Sequence, residues 1–357
     1  MPPSRKLPEF SRILVRATNW VGDAVMSLPA LQAVRARFPK AHIAILARPW
    51  VADLYAQESF VNQVISLTTS RGASDPGGKW HAARLLRKEQ FDCAILLQNA
   101  FEAALLAWMA AIPRRIGYAR DGRGWLLTDP IPVPLPGEIP RHERFYYLAL
   151  LERAGLLDAP VKDPVVALSR VVELRDSGRR RLAGFSLDAP TIGVSPGAAY
   201  GGAKRWTPEG FAESASRLAE EKLASVAVFG SQSERGLCET VAAGITVRGI
   251  PVHNFAGETL LSEFIEMAAA CSLYLTNDSG AMHIASALDV PTVAVFGPTD
   301  ETATGPSGAR AAVIRERVEC SPCLLRECPI DHRCMTRVSA DRVVETALAM
   351  LGSDARR

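Results

Sequence analysis

The sequence lacks any apolar run long enough to cross a membrane as a helix. Its longest apolar stretch, AALLAWMAAI at Ala103–Ile112, falls well short of the roughly 20 residues that a span needs. The N-terminal segment MPPSRKLPEF has no apolar core of the kind found in signal peptides. With 48% hydrophobic and 22% charged residues in 357, the chain is predicted to be a soluble cytoplasmic protein of two domains.

Two common nucleotide-binding signatures are also missing. The chain contains neither the GxGxxG of dinucleotide oxidoreductases nor the GxxxxGK[ST] of P-loop enzymes. Hydride transfer and nucleoside triphosphate hydrolysis are therefore not expected, and we expect no nucleic-acid partner.

Cysteine is present, but not in a pattern that predicts a disulfide framework in a cytoplasmic protein. Of seven cysteines, four crowd into CSPCLLRECPIDHRC: Cys320, Cys323, Cys328 and Cys334. Their C-x2-C-x4-C-x5-C spacing leaves two interpretations open. One is a structural zinc site with His332 as an alternative ligand, and the other is a loop of reduced or redox-labile thiols.

The overall charge of +3 hides a difference between the two halves of the chain. Residues 1–170 carry 22 Lys and Arg against 15 Asp and Glu, whereas residues 171–357 carry 19 against 23. A basic first half favours an anionic partner for that half, although scattered solvated arginines would give the same count.

Short β-rich runs alternate with helical patterns through most of the chain, which indicates βαβ units on parallel sheets. The predicted strands are RILVRA, HIAILAR, NQVISL, FDCAILL and RRIGYA, then PTIGVSP, SVAVFG, SLYLTN, PTVAVFGP and AAVIRE. The proline-rich stretch DPIPVPLPGEIP predicts an irregular connection. We predict an α/β fold of two doubly wound, Rossmann-like domains, 1–170 and 171–357, facing a central cleft. Ligands would bind at the carboxyl ends of the strands.

The stretch NWVGD follows the first strand and precedes an apolar helix predicted to begin at Leu28. It is predicted to be a polar turn that carries one carboxylate, Asp23. Two roles fit an acidic residue there. It could cap the helix that follows, or it could act as a general base.

In the second half, SLYLTNDSGAMHIASAL predicts a strand, a polar turn and a helix. Gly280 would let the backbone approach a ligand, and the free N–H groups at the helix N-terminus suit a phosphate. His283, one turn into the helix, could face the same ligand. The simpler alternative is a capped helix with a packed histidine.

Three further strand-to-helix turns accompany this one in the second half. The stretch IGVSPGAAYGGAKRWTPEGF joins a glycine-rich loop to Lys204, and AVFGSQSERGLCE places Glu234 where it could meet a ribose or a base. The third, VAVFGPTD, ends a strand in a Gly-Pro turn. A flexible glycine loop with one lysine point charge suits a diphosphate, so the four turns together predict a nucleotide diphosphate site.

In this order, the motifs resemble those of the ADP-heptose:lipopolysaccharide heptosyltransferases, glycosyltransferase family nine. The resemblance is carried by NWVGDAVMSLPAL, which is most similar to the heptosyltransferase II branch, and by SPGAAYGGAKRWTPEGFAE and NDSGAMHIASALDVPTVAVFGPTD. It implies the GT-B architecture, with the acceptor bound mainly by the first domain and the nucleotide sugar by the second.

The resemblance also implies roles for individual residues. Asp23 would be the general base that deprotonates the acceptor hydroxyl. The other residues implicated are those of the donor pocket, namely Lys204, Glu234, Thr259, Asp278, Ser279, Gly280 and His283. Arg120 and Arg123, in GYARDGRG, lie in a candidate acceptor loop, an assignment that rests on their charge.

The implied reaction is inverting transfer of L-glycero-D-manno-heptose from ADP-heptose to the lipopolysaccharide inner core, with heptosyl-Kdo2-lipid A as acceptor. No DxD-like pair lies near the donor loops, so we expect no metal cofactor in catalysis. Three alternatives stay open: another acceptor such as Kdo2-lipid A or a protein hydroxyl, a non-catalytic nucleotide-sugar binding protein, and an epimerase-like or pyrophosphorylase-like enzyme. The basic first half would let the protein meet its phosphorylated lipid acceptor as a peripheral protein on the cytoplasmic face of the inner membrane.

Overall fold

The computed structural model describes residues 9–69, 75–157, 159–187 and 190–354. The chain divides into two compact units, Met1–Val165 and Val166–Arg357. We call these the first unit and the second unit. Most of the segment MPPSRKLPEF, on which the prediction about a signal peptide rests, lies outside the described residues.

The first unit is built on a six-stranded parallel sheet whose strand order is β3-β2-β1-β4-β5-β6. Its strands are Arg12–Arg16 (β1), His42–Ala47 (β2), Gln63–Ser66 (β3), Cys93–Leu96 (β4), Arg114–Tyr118 (β5) and Asp129–Ile131 (β6). Its helices are Val21–Met26 (α1), Leu28–Arg37 (α2), Pro49–Ala56 (α3), Pro76–Lys88 (α4), Phe101–Met109 (α5) and Glu143–Arg153 (α6).

The second unit repeats the plan with the strand order β12-β11-β10-β7-β8-β9. Its strands are Thr191–Ser195 (β7), Ser225–Val228 (β8), Val252–Asn254 (β9), Leu273–Asn277 (β10), Thr292–Phe296 (β11) and Ala311–Arg315 (β12). Its helices are Val171–Ala183 (α7), Pro208–Lys222 (α8), Arg235–Thr246 (α9), Leu261–Ala270 (α10), Gly280–Ala287 (α11), Glu301–Thr304 (α12), Arg333–Thr336 (α13) and Ala340–Asp354 (α14).

The burial of the central strands explains why helices cover both faces of each sheet. In β1, Ile13, Leu14 and Val15 are each 1% exposed or less. Successive side chains of a strand point to opposite faces, so helices must cover both sides of the sheet. A strand buried on both faces is typical of βαβ structure, and β10 has the same character because all of its residues are buried.

The ten strands predicted from the sequence are present, but two further strands were not predicted. β6 and β9 are three residues long and each lies at the end of its sheet. The predicted irregular connection DPIPVPLPGEIP therefore begins with a strand that contains Pro130, a residue tolerated at a sheet edge. The stretch predicted to be a polar turn at NWVGD runs into α1, so Asp23 lies in a helical turn.

No helix in the described ranges combines the length and the apolar character that crossing a membrane requires.

Helices α7 and α10 pack closely in the second unit at a glycine. A Cβ atom on Gly178, in the middle of α7, would lie 1.9 Å from the backbone carbonyl oxygen of Glu266 on α10. A neighbouring backbone cannot move aside as a flexible side chain can, so glycine is required at this crossing.

We therefore expect Gly178→Ala to destabilise the protein by about 1–3 kcal/mol, the usual range for an overpacked contact. Gly236→Ala in α9 is the matched control, because its Cβ would meet no atom within 4 Å and alanine has the higher helix propensity. Thermal or urea unfolding measures both. An unchanged melting temperature in Gly178→Ala would contradict this description of the α7/α10 contact.

Candidate active site

In the second unit, Lys204 and Asp278 form a buried ion pair at the carboxyl edge of the sheet. Lys204 follows the glycine-rich loop after β7, and Asp278 follows β10 directly. Lys204 Nζ donates to Asp278 Oδ2 at 2.6 Å, and the two side chains are 12% and 4% exposed. The hydroxyl of Thr299, after β11, donates to the same oxygen at 2.6 Å. An ammonium has three donors, so this bond leaves Lys204 further capacity toward an anion.

Asn277, the residue before Asp278, fixes the turns around this ion pair. Asn277 is fully buried. Its Oδ1 accepts the backbone N–H of Trp206 at 2.9 Å, and its Nδ2 donates to the carbonyl of Pro196 at 2.7 Å. One side chain therefore connects the end of β10 to both sides of the glycine-rich loop, which places Lys204 against Asp278.

The cysteine-rich loop braces the glycine-rich loop from the other side. The backbone N–H of Ala203 donates to the carbonyl of Arg326 at 2.9 Å, and that of Gly202 donates to Glu327 Oε1 at 2.9 Å. The Tyr200 hydroxyl donates to the Leu324 carbonyl at 2.8 Å. A Cβ on Gly201 would lie 2.3 Å from the Arg326 carbonyl oxygen, so glycine permits this close approach of two backbones.

Glu234 packs against the same loop but also caps its own turn. Its Oε2 accepts the backbone N–H of Ser231 at 2.9 Å and the Ser231 hydroxyl at 2.7 Å. A Cβ on Gly197 would collide with its carboxylate, which lies 4.0 Å from the Arg205 guanidinium. Thr259 is half-buried in the loop between β9 and α10. The hydrogen bonds found among the described residues do not tie Thr259 to this group.

Helix α11 begins at the same edge. Ser279 is its N-cap residue, with no side-chain cap bond, and its hydroxyl lies 3.2 Å from that of Thr276. Gly280 is the first helical residue, and His283 is buried one turn further in. The structure therefore brings the predicted Asp278, Ser279 and Gly280 to the start of α11, where unpaired backbone N–H groups favour an anion.

In the first unit, Asp23 is the third residue of α1, and the N-cap residue is Trp20. Asp23 is half-buried and lies beside Glu143, the first residue of α6. Burial is the largest cause of the raised pKa of Glu143, and the negative charge of Asp23 is the second. The same two causes raise the pKa of Tyr147, one turn along α6. Sequence reasoning did not find Glu143, because it gives no sign that α6 packs near α1.

The two arginines predicted in an acceptor loop have different surroundings. Arg123 is fully buried, and it donates to the Tyr118 carbonyl, the Gln98 carbonyl and Asn99 Oδ1. It thus supports the β4–α5 loop instead of presenting its guanidinium to a ligand, and burial lowers its pKa to about 10. Arg120 is exposed and lies 3.5 Å from Asp121. A hydrogen bond to Tyr146 contributes most to the raised pKa of Arg120.

The structure does not support the zinc interpretation of the cysteine cluster. The four cysteines are free thiols. Over the described ranges, no group of three or more His, Cys, Asp and Glu side chains is arranged to hold a metal ion. The ring of His332, the alternative ligand, is engaged through Nε2 with the Ala203 carbonyl at 2.7 Å. Burial, followed by the neighbouring thiols, raises the pKa of Cys334.

Comparison with known proteins agrees with this architecture. Residues 80–333, more than half of the chain, match glycosyltransferase family 9 (heptosyltransferase). The chain belongs to glycosyltransferase family 9. Its relatives include the lipopolysaccharide heptosyltransferases 2 of Salmonella typhimurium and Escherichia coli. Each is 34% identical to it, over 308 and 309 residues respectively, and each alignment covers 85% of this chain and 88% of the relative.

A solved structure also matches nearly the whole length of this glycosyltransferase. The structure of E. coli ADP-heptose lipopolysaccharide heptosyltransferase II superposes with a TM-score of 0.81 at 31% identity, and covers 96% of this chain and 99% of that chain. The resemblance predicted from the motifs is confirmed, as is the α/β fold class: two parallel sheets with flanking helices, the GT-B type.

The contact between the glycine-rich loop and the cysteine-rich loop can be tested by substitution at Gly201. We expect Gly201→Ala to push the Arg326 carbonyl away and to break the hydrogen bond from Ala203. Amide exchange at residues 201–204 should then accelerate by about tenfold or more, because local opening of the loop requires less free energy. Hydrogen-exchange mass spectrometry measures this, with Gly236→Ala as the control. Unchanged protection at these residues would show that the cysteine-rich loop does not hold the glycine-rich loop.

Proposed function

We propose that this enzyme transfers L-glycero-D-manno-heptose from ADP-heptose to the inner core of lipopolysaccharide with inversion at the anomeric carbon. The observation that carries the proposal is the 34% identity, over 85% of the chain, to a relative named lipopolysaccharide heptosyltransferase 2. Heptosyl-Kdo2-lipid A is the proposed acceptor. The enzyme would meet it as a peripheral protein at the cytoplasmic face of the inner membrane.

In the proposed step, Asp23 removes the proton from an acceptor hydroxyl. The acceptor oxygen then forms a bond to the anomeric carbon of the heptose, and the bond from that carbon to the diphosphate oxygen breaks. ADP leaves with the electron pair. Proton removal by a positioned carboxylate is general base catalysis.

The donor is proposed to lie at the carboxyl edge of the second sheet. Lys204 and the start of α11 at Ser279 and Gly280 would bind the diphosphate and stabilise the charge that develops on ADP. Asp278 holds the Lys204 ammonium in place, and His283 would complete this part of the pocket. Glu234 and Thr259 are proposed to contact the ribose and the adenine.

The role of Asp23 is tested by Asp23→Asn. Because the amide cannot accept the proton, we expect kcat to fall by about 10²–10⁴-fold, the usual contribution of a general base. The measurement is acceptor-dependent ADP release from ADP-heptose with purified heptosyl-Kdo2-lipid A. ADP affinity, measured by calorimetry, should stay within about twofold of the wild type.

Glu152→Gln is the matched control, since it makes the same carboxylate-to-amide change on an exposed residue of α6. If Asp23→Asn and the control release ADP equally fast, Asp23 is not the base. If no inner-core acceptor supports release by the wild type although ADP-heptose binds, the protein is a nucleotide-sugar binding protein. If ADP is released with Kdo2-lipid A and not with heptosyl-Kdo2-lipid A, then Kdo2-lipid A is the acceptor.

The role of Lys204 is tested by Lys204→Met. We expect ADP affinity to fall by about 10–100-fold, as for the loss of a charge-assisted hydrogen bond. The melting temperature should also fall, because Asp278 would be left buried without its cation. Lys222→Met, an exposed lysine at the end of α8, should change neither quantity. Unaltered ADP affinity in Lys204→Met would exclude a contact between Lys204 and the diphosphate.

A further inference from the structure

Tyr200, in the glycine-rich loop of the second unit, contacts both the buried ion pair and the cysteine-rich loop. The Nζ atom of Lys204 lies over the Tyr200 ring, 4.8 Å from its centroid. The Tyr200 hydroxyl donates to the Leu324 carbonyl at 2.8 Å. An ammonium within about 6 Å of a ring centroid is attracted to the negative face of the ring. Tyr200 therefore holds a cation with its ring and a neighbouring loop with its hydroxyl.

Hydrogen bonds extend this contact into a closed circuit around the ammonium. Leu324, whose carbonyl accepts the tyrosine hydroxyl, donates its own backbone N–H to the Pro298 carbonyl at 2.8 Å. The next residue, Thr299, donates its hydroxyl to Asp278 Oδ2 at 2.6 Å. The same oxygen accepts from Lys204, whose ammonium lies over the tyrosine ring. The tyrosine thus closes a circuit that links the loops after β7, β10 and β11.

The ring gives the Lys204 ammonium a second point of contact. A lysine ammonium is a point charge on a flexible stem. Its bond to Asp278 Oδ2 fixes the distance between those two atoms, but it leaves the ammonium free to swing about the oxygen. The ring face restricts that swing. Because the Lys204 side chain is only 12% exposed, the attraction between ring and cation is strengthened by partial desolvation.

The same ring has a second cationic neighbour, Arg326 of the cysteine-rich loop. The guanidinium carbon of Arg326 lies 5.2 Å from the centroid of the Tyr200 ring. Arg326 is exposed, and a contact between a cation and a ring is weaker in water than in a desolvated site. The stronger contact of the ring is therefore the one with Lys204, which is the cation that also pairs with Asp278.

We propose that Tyr200 is a positioning residue of the donor site, whose ring face holds the Lys204 ammonium where it meets the diphosphate of the donor. The inference rests on the proposed function, in which Lys204 binds that diphosphate, and it adds the residue that keeps the cation in place. Tyr200 acts through Lys204 and not through a contact of its own with the nucleotide sugar. The essential part of the side chain is its aromatic face, and the hydroxyl anchors that face to Leu324.

Two substitutions separate the ring from the hydroxyl. We expect Tyr200→Leu, which removes both, to weaken ADP binding by about tenfold, the effect of losing a partly desolvated contact between a cation and a ring. Tyr200→Phe keeps the ring and should bind ADP within about threefold of the wild type, because a half-exposed neutral hydrogen bond contributes little. Calorimetry with ADP measures both variants. Equal affinities in the two variants would overturn the proposal, because the ring would then make no difference.

A graded series of rings separates electrostatics from packing. Phenylalanine and its mono-, di- and trifluorinated analogues at position 200 keep nearly the same shape, while each fluorine withdraws negative charge from the ring face. ADP affinity should fall stepwise along the series, by about tenfold in total.

The same series in the Lys204→Met background is the control for the fluorinated rings. Affinity should there stay constant, since the two residues are coupled only while the cation is present. Constant affinity in the presence of Lys204 would overturn the proposal. So would a stepwise fall that persists in Lys204→Met, because the ring would then act through Arg326 or on the nucleotide itself.

Nuclear magnetic resonance of the ligand-free enzyme separates this inference from the proposed function. With isotope-labelled lysine, the Cε protons of Lys204 should be shifted upfield by the ring current of Tyr200. The signal is assigned by its absence from Lys204→Met, and Tyr200→Leu should abolish the shift. An unshifted signal together with lowered ADP affinity in Lys204→Met would refute the role of Tyr200 alone. A shifted signal together with unaltered ADP affinity in Lys204→Met would refute the diphosphate contact on which the proposed function places Lys204.

Discussion

The parallel order of the strands is the constraint on which the rest of the molecule depends. In each unit the strand order reverses beside the first strand, between β1 and β4 and between β7 and β10. Parallel strands all end at one edge, so the loops that follow them are forced together there. Arg16 and Arg48 meet at this edge in the first unit, and Lys204 and Asp278 meet there in the second. Sheet topology thus assembles residues that are distant in sequence.

The site in the second unit shows how flexible segments are made rigid without secondary structure. Glycines permit the close backbone approach between the loop at 201–204 and the loop at 324–328. Hydrogen bonds from Tyr200, Gly202 and Ala203 then fix the contact. Asn277 holds the other side through buried bonds to Trp206 and Pro196. A lysine on a loop braced from both sides keeps its ammonium in one place, which a diphosphate site requires.

Much of the fold was predictable from the sequence because its strands are buried on two faces and read as continuous apolar runs. Edge strands β6 and β9 were not predicted, since three residues leave no periodic pattern and Pro130 argues against a strand. Among site residues, Lys204 and Asp278 follow predicted strands, and their positions could be inferred. The electrostatic influence of Asp23 on Glu143, and the packing of Arg326 on Gly201, depend on contacts between distant segments. Local pattern carries no information about such contacts.

The buried arginines raise the question of why a sheet edge would keep charge that is costly to bury. Arg16 stays protonated at neutral pH even with its lowered pKa of about 10, whereas a lysine in such a site loses its proton more readily. Its guanidinium also bonds to Ala17 and Leu46, which lie at the ends of neighbouring strands β1 and β2. The buried charge and the bonds that hold the strand ends therefore belong to the same group. Loss of Arg16 would remove both at once.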